Sequence, residues 1–546
     1  MADLIVDRVA AHTDHLYGVG GANIEDLYDA VHRHPTLTGI VAKHEFGAAT
    51  MADGHARATA GLGVVAATSG GGAMNLLAAL AESFDSRTPV LALVGQPPTV
   101  FEGHGAFQDT SGLPGRLHAE RIFGAVSVYC AKVTRPQDIT DQLDRAIAAA
   151  LTGGPAVLLL PKNIQAAEVT APDRFESAAD PEPVADTELP SEFAAALAGV
   201  SRSGRTVIIA GPEIAAADAR PELAIVAREL DATVLLTPDA KDAFPNRDPR
   251  FAGVVGVMGH PHAPDLVAEA ELCLIIGTPL SMTARAGLDA ALSACPRVLH
   301  IGTEPPFVSV HATAGGALAA TLRELAALSH GTNSPGTRSH PAEVPELAVP
   351  EASGPGVRYR AAVAALEAAL EPGTDVVVDA GNTGAAVVHH LHVPEDSRFL
   401  LALGMGGMGY SFGAGIGCAL GRKRRAVVIA GDGAYFMHGH EVHTAIEYRV
   451  PVTFIVFNNN AHAMCVTREQ VYYSGEYSFN RFRSAQIGAG VAAMFPDLPA
   501  WTARSLTDFE NALEKARAIP GPAFIELQCD PDEIPPFAPF LKEPRA

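Results

Sequence analysis

Two polar residues in the last third of the chain stand 27 positions apart, Asp432 in "GDGAYF" and Asn459 in "NNNAHA". Each closes a short apolar run, "AVVIAG" before the first and "VTFIVF" before the second. One carboxylate and one carboxamide suit Mg²⁺, which takes near-octahedral oxygen ligands, few of them from protein and the rest from water and a phosphate-bearing ligand. The neighbouring glycines let backbone amides approach a diphosphate. A lone GDG is more often a plain turn between strand and helix. Its pairing with an Asn pair after the next apolar run, one helix later, is the specific signal. A third acid, Glu45 in "HEFGAATMADG", opens a helix-like segment, where the helix dipole favours negative charge.

The elements that must position these residues are legible as apolar runs. The first third offers "GVVAAT", "PVLALVG" and "PAVLLLP"; the second "TVIIAG", "ATVLLT", "ELCLIIG" and "RVLHIG"; the third "DVVVDAG", "AVVIAG", "VTFIVFNN" and "AFIELQ". Continuous runs of this kind, each followed by an Ala-rich helical segment, predict parallel sheets covered on both faces. The fold class is therefore α/β, with three doubly wound parallel-sheet domains at 1–167, 190–328 and 357–546. Pro-, Ser- and acid-rich stretches at 168–189 and 329–356 read as linkers. Three thirds of one architecture hint at duplication. Ligands of such sheets bind beyond the carboxyl ends of strands, so Asp432 and Asn459 converge if their strands are neighbours.

Composition bounds the function. With 48% hydrophobic and 18% charged residues over 546 positions, the chain is globular and rich in core. A net charge of −22 argues against nucleic acid or an anionic membrane as a general partner. Six scattered cysteines with no CxxC pair fit a reducing compartment and exclude a zinc knuckle. No apolar run approaches membrane-spanning length and the first residues do not form a secretory signal, so the expectation is a cytoplasmic protein.

The GDG and Asn-pair arrangement resembles the thiamine diphosphate-dependent enzymes. The resemblance implies thiamine diphosphate and Mg²⁺ as cofactors, with Asp432, Asn459 and the carbonyl of Ala461 holding the metal. Gly433 and Ala434 would approach the diphosphate, as would Asn382 and Thr383 of "DAGNTG"; His462, Ala463 and Met464 follow the Asn pair on the cofactor side. "LGMGGMGYSFGAGIGCALG" resembles the segment whose bulky apolar side chain, here Met408, wedges the cofactor into a bent shape. The Gly406 carbonyl and the Met408 amide would hold its aminopyrimidine. Read without the resemblance, this segment is a Gly-rich helix packed closely on a sheet.

Residues 18–112 resemble the pyrimidine-binding domain of acetolactate synthase and its relatives. Glu45 falls on the glutamate that activates the cofactor through its pyrimidine, a task for a carboxylic acid in an apolar pocket. Gly20 and Asn75 fall on the cofactor side, and Phe107 and Gln108 of "GAFQDTSG" beside the reacting carbon. Ser69–Gly72 stands where relatives carry a Gly-Pro-Gly turn, with Gly71 in place of the proline. In this family the two halves of a site come from different subunits, which implies a homo-oligomer, dimer or tetramer.

The reaction so implied is decarboxylation of a 2-oxo acid donor, then transfer of the acyl-anion equivalent to a second carbonyl compound. Protonation in its place would make the chain a simple decarboxylase. A non-catalytic cofactor-binding relative is a third reading, opposed by the presence of Glu45, Asp432 and Asn459. Relatives carry a Gln-Trp-Gln stretch after the Asn pair, whereas "NNNAHAMCVTREQVYY" has no tryptophan and the sole Trp501 lies elsewhere. His462, Met464, Arg468, Tyr472 and Tyr473 would shape the pocket there, which points to a specialised relative. "HGHEVH" (His438, His440, His443) reads as pocket-edge or solvent-facing histidines, since only His440 and His443 can share a helix face. His44 and His104 are candidate proton shuttles, and His389-His390 is set aside. "IGTPLSMTARAG" (276–287) lies where some acetolactate synthases contact FAD; other relatives keep this domain without flavin, and the sequence leaves FAD open.

Overall fold

A computed structural model describes residues 1–169, 189–200, 205–329, 344–475 and 478–541. Among these residues eighteen strands form three six-stranded sheets in which every pairing is parallel. The first holds β1 (His15–Val19), β2 (Thr38–Val41), β3 (Gly63–Ala67), β4 (Val90–Gln96), β5 (Tyr129–Lys132) and β6 (Pro155–Pro161), in the order 2-1-3-4-6-5. The second holds β7 (Thr206–Ala210), β8 (Thr233–Leu236), β9 (Phe251–Val254), β10 (Leu272–Ile276), β11 (Val298–Ile301) and β12 (Ala312–Ala314), ordered 12-11-10-7-8-9. The third holds β13 (Asp375–Val378), β14 (Phe399–Leu401), β15 (Ala426–Gly431), β16 (Val452–Asn458), β17 (Ala500–Ala503) and β18 (Ala523–Gln528), ordered 14-13-15-16-18-17. First and third sheets thus share one topology, while the central sheet has another.

All eleven apolar runs picked out in the sequence are strands, and their uniform apolarity has the anticipated cause. In β3, β4, β6, β7 and β10 every residue is buried, because helices cover both faces. The linker stretches fall largely on 170–188 and 330–343, outside the described residues; from 344 to 358 the chain forms neither helix nor strand.

The first and third sheets meet through two helices, Glu45–Thr59 and Tyr410–Arg422, which make the most extensive helix–helix contact among the described residues. Glycines permit it. A Cβ on Gly54 would overlap the backbone of Ala414, and one on Gly417 the carbonyl of Met51. One apolar cluster consequently runs through both domains, from Tyr17 and Val65 to Phe412 and Phe454. This contact sets the amino end of the helix that begins with Glu45 against the third domain.

Candidate active site

The third sheet reverses its order between β13 and β15, where a ligand crevice is expected. β15 and β16 are neighbours in register, Gly431 opposite Phe457, so Asp432 and Asn459 emerge side by side. Asp432 is 1% exposed and Asn459 6%. Both accept a hydrogen bond from the same amide, that of Ala461, at 3.2 Å to the Asp432 carboxylate and 3.1 Å to Asn459 Oδ1. The other Asp432 oxygen accepts from the Gly433 amide at 2.7 Å. Burial raises the Asp432 pKa to about 6 against these backbone donors. A buried carboxylate of that kind favours a neighbouring cation.

The three consecutive asparagines divide the work by alternation. Asn458 and Asn460 face the opposite side, where Asn458 donates to Glu526 and Ala485, and Asn460 accepts from the Ala485 amide. Only Asn459 turns toward Asp432, steadied by a 3.2 Å bond from its Nδ2 to the Tyr359 hydroxyl.

Past β13, Gly381 has φ +102° with open space above it, and the helix Asn382–His390 starts next. Asn382 and Thr383 are both 4% exposed, and Asn382 Oδ1 has no hydrogen-bond partner. A helix amino terminus with an orphaned polar atom beside an open cradle fits a diphosphate. Gly433 and Met408 border the same space, since a Cβ on Gly433 would press on the His462 ring and the Met408 methyl. Ala434 and Ala461 are buried there, and Ala463 and Met464 open the helix Ala463–Tyr473. The donor set of one carboxylate, one carboxamide and one backbone carbonyl therefore fits Mg²⁺ with a diphosphate.

Sequence reasoning overlooked the groups that shape the Met408 segment. Asp379, at the end of β13, accepts from the amides of Gly409 and Ser411, both at 3.0 Å. Its pKa is raised by burial, against those amides. From the first domain, Glu82 accepts from the amides of Gly404, Met405 and Gly406 at 3.2, 2.6 and 3.3 Å. Burial would raise the Glu82 pKa, but Arg57, Ser86 and these amides hold it below the usual range. Gly406 itself has φ +65° and is open above. Asp379 sits in the quoted "DAGNTG", so its carboxylate was legible as a candidate; Glu82 lies in a plain helical segment and carried no signal.

The first-domain residues form a second group. Glu45 accepts from Asn75 Nδ2 at 2.9 Å, and a Cβ on Gly72 would come within 2.8 Å of its carboxylate. Gln108 has φ +57° and packs against the turn at Gly70, its Oε1 3.4 Å from the hydroxyls of Thr68 and Ser69. Gly20 borders open space, and Phe107 is 73% exposed. Among the described residues, no hydrogen bond inside the chain joins this group to the one around Asp432.

The histidines divide. His44 caps its helix, accepting from the Phe46 amide at 3.1 Å, and His104 is exposed. His438 stacks on Phe46 at 4.2 Å and is held to a pKa of about 4 by burial and by His44. His440 and His443 are exposed. Within the same motif Glu441 matters more, since its buried carboxylate accepts from the amides of Lys43 and His44 at 3.0 Å. His389 binds the Met258 carbonyl, away from this crevice.

Known proteins match the chain across all three domains. Residues 1–113 match the thiamine pyrophosphate enzyme N-terminal TPP binding domain, 193–327 the central domain and 379–527 the C-terminal TPP binding domain. The chain is 26% identical to a probable acetolactate synthase large subunit of Methanocaldococcus jannaschii, over 96% of this chain and 90% of that protein. It is 26% identical to the acetolactate synthase isozyme 1 large subunit of Escherichia coli, over 95% and 93%. With the Haemophilus influenzae acetolactate synthase large subunit it shares 25% identity, over 97% and 95%. All three domains and at least 95% of the chain are thus accounted for together: the chain belongs to the thiamine diphosphate-dependent enzymes, of the acetolactate synthase-like type.

Proposed function

We propose that the protein, with thiamine diphosphate and Mg²⁺, decarboxylates a pyruvate-like 2-oxo acid and joins the acyl fragment to a second carbonyl compound. The observation that carries this reading is the convergence of Asp432 and Asn459 on the Ala461 amide, at the carboxyl ends of adjacent strands. Whole-length similarity to acetolactate synthase large subunits favours ligation over simple decarboxylation. The cofactor supplies a carbon nucleophile and an electron sink for the carboxylate's departure.

The chain's residues do the rest. Asp432, Asn459 and the Ala461 carbonyl hold the metal, and Gly433, Ala434, Asn382 and Thr383 receive the diphosphate. Met408 and the Gly406 backbone seat the ring system, while His462, Ala463 and Met464 border it. Glu45, fixed by Asn75, holds and moves the proton that activates the pyrimidine. Gln108 orients the substrate's carbonyl or carboxylate, and Phe107 excludes water beside it. Among the described residues no hydrogen bond within one chain joins the Glu45 and Asp432 groups, and the Phe107 ring is largely bare. Both features support a site completed by a second copy, hence a homodimer or tetramer. No helix among the described residues is long and apolar enough to cross a membrane, and we place the protein in the cytoplasm, with domains bounded at 1–167, 190–328 and 357–546.

The test is product analysis. Purified protein with thiamine diphosphate, Mg²⁺ and pyruvate should release CO₂ and form acetolactate or acetoin. Acetaldehyde alone would replace ligation by decarboxylation. Saturable cofactor binding with no turnover of any 2-oxo acid would make the chain a non-catalytic relative.

A further inference from the structure

Numbered within its own domain, the central sheet reads 3-2-1-4-5-6, the order that binds dinucleotides where the order reverses. Here that point lies between β7 and β10, and a chamber of about 450 Å³ opens over it. Glu213, Asp239 and Thr278 of the central domain line it, with Asp85 and Arg87 from the first domain and Gly404 from the third. Gly277, Thr278 and Ser281 of the segment that resembles the FAD contact of some acetolactate synthases also line it. We infer that the chamber is built against a diphosphate, and that the protein works without FAD or any other dinucleotide.

A diphosphate needs free amides, a helix amino terminus or unpaired cations. The turn after β7 offers none of these. Pro212 has no N–H, and the amides of Gly211 and Glu213 donate to the carbonyls of Ile276 and Gly277 at 2.8 and 3.1 Å. Those of Gly277 and Gly302 are also spent on backbone carbonyls. The Thr303 amide, at the end of β11, donates to the Glu213 carboxylate at 3.0 Å, and the Thr303 hydroxyl does so at 2.9 Å. A carboxylate thus already holds the donors that a phosphate oxygen would need. The helix following Pro212 is only four residues long, Glu213–Ala216.

The cations are equally committed. Arg87 pairs with Glu304 at 3.0 Å, Arg220 with Asp242 at 2.5 Å, and Arg57 with Asp53 at 2.6 Å and Glu82 at 3.3 Å. Asp85, Glu213 and Asp239 make no ion pair among the described residues. Asp85 is pushed up by burial and by the charges of Glu82 and Glu304; Asp239 is pushed up by burial despite the Thr237 hydroxyl. Three carboxylates thus line the chamber without a cation of their own, and two more charges on a diphosphate would be repelled. Topology invites the dinucleotide, and the side chains refuse it.

The test uses full-length protein loaded with thiamine diphosphate and Mg²⁺, incubated with FAD and, separately, with ADP. Flavin fluorescence and absorbance after gel filtration report retention, and thermal shift reports ADP. Neither readout needs turnover, and thiamine diphosphate uptake is followed separately, so this inference and the proposed function fail independently. The expected result is no saturable quenching and no retained flavin. In an Asp85→Asn, Glu213→Gln double variant of unchanged circular dichroism, the association constant for ADP should rise at least ~10-fold, one decade being the effect of about 1.4 kcal/mol. One flavin retained per parent chain would overturn the inference. A double variant that binds ADP no better would overturn its electrostatic cause.

Discussion

Asp432 and Glu45 are both carboxylates, yet they stand in different surroundings, and conservative amides separate the two proposed roles. Asp432→Asn keeps the shape of a buried side chain but removes the charge proposed to face Mg²⁺. Cofactor and Mg²⁺ binding, followed by the circular dichroism of the bound cofactor, should weaken by at least ~100-fold. Glu45→Gln should keep both bound, because among the described residues Glu45 meets Asn75 and the Gly72 turn and makes no hydrogen bond to the residues proposed to hold the metal. Turnover should instead drop by about 10²–10⁴-fold, with loss of proton exchange at the cofactor's reactive carbon. Loss of cofactor binding in Glu45→Gln would remove this division of labour. At this scale the sequence was informative where a residue type is chemically unusual for its place, as with an acid directly after a buried apolar strand. It was silent about Glu82 and Glu441, which act across domains on amides far away in the chain. Nothing local distinguishes such acids from surface acids on a helix.

Elements were legible where an unbroken apolar run fills the interior of a sheet. The eleven strands visible as apolar runs are all interior to their sheets, whereas the six edge strands β2, β5, β9, β12, β14 and β17 escape that reading. An edge strand pairs on one side only and is short here, four residues or three; β5 has no fully buried residue, whereas β9 and β14 are buried throughout and escape by their brevity. β1 is interior yet also hidden, because His15, Tyr17 and Gly18 interrupt its apolarity. The Met408 segment shows the same limit for loops: its shape is imposed from outside, by Asp379 below and Glu82 beside it. Glu82→Gln should therefore leave the fold intact, with Arg57 still paired to Asp53, while loosening the loop from Gly404 to Gly406. The expected outcome is roughly 10-fold weaker cofactor binding, comparable to losing an outer-shell partner of a metal site, at a melting temperature within a few degrees of the parent. Unchanged affinity would show that the loop holds itself.

Across the whole molecule, the helix Asn382–His390 links the active crevice to the central domain. Its amino end carries Asn382 and Thr383, and near its carboxyl end the Val388 carbonyl accepts from Lys241 Nζ of the central domain at 2.7 Å. Such a carbonyl lies in the last turn and lacks an intrahelical partner, so a cation there both satisfies it and suits the helix dipole. Lys241 is 1% exposed, and burial lowers its pKa from 10.5 to about 7. Between about pH 7 and pH 10.5 the unfolded chain therefore binds more protons at this lysine than the folded chain does. Stability contributed through Lys241 rises with pH across that window, and below pH 7 the full penalty of about 5 kcal/mol at most stands against the fold. Lys241→Met removes the titration and keeps the length of the side chain, at the cost of leaving the Val388 carbonyl without this donor. Denaturant melts of parent and variant at pH 7.0 and 8.5 isolate the effect, because the other titrating groups cancel in the difference. The parent should gain stability relative to Lys241→Met by somewhat under 2 kcal/mol over that interval, near the limiting slope of about 1.4 kcal/mol per pH unit for one proton. A difference independent of pH would mean that this lysine stays protonated through the interval, its charge stabilised by the helix end it caps.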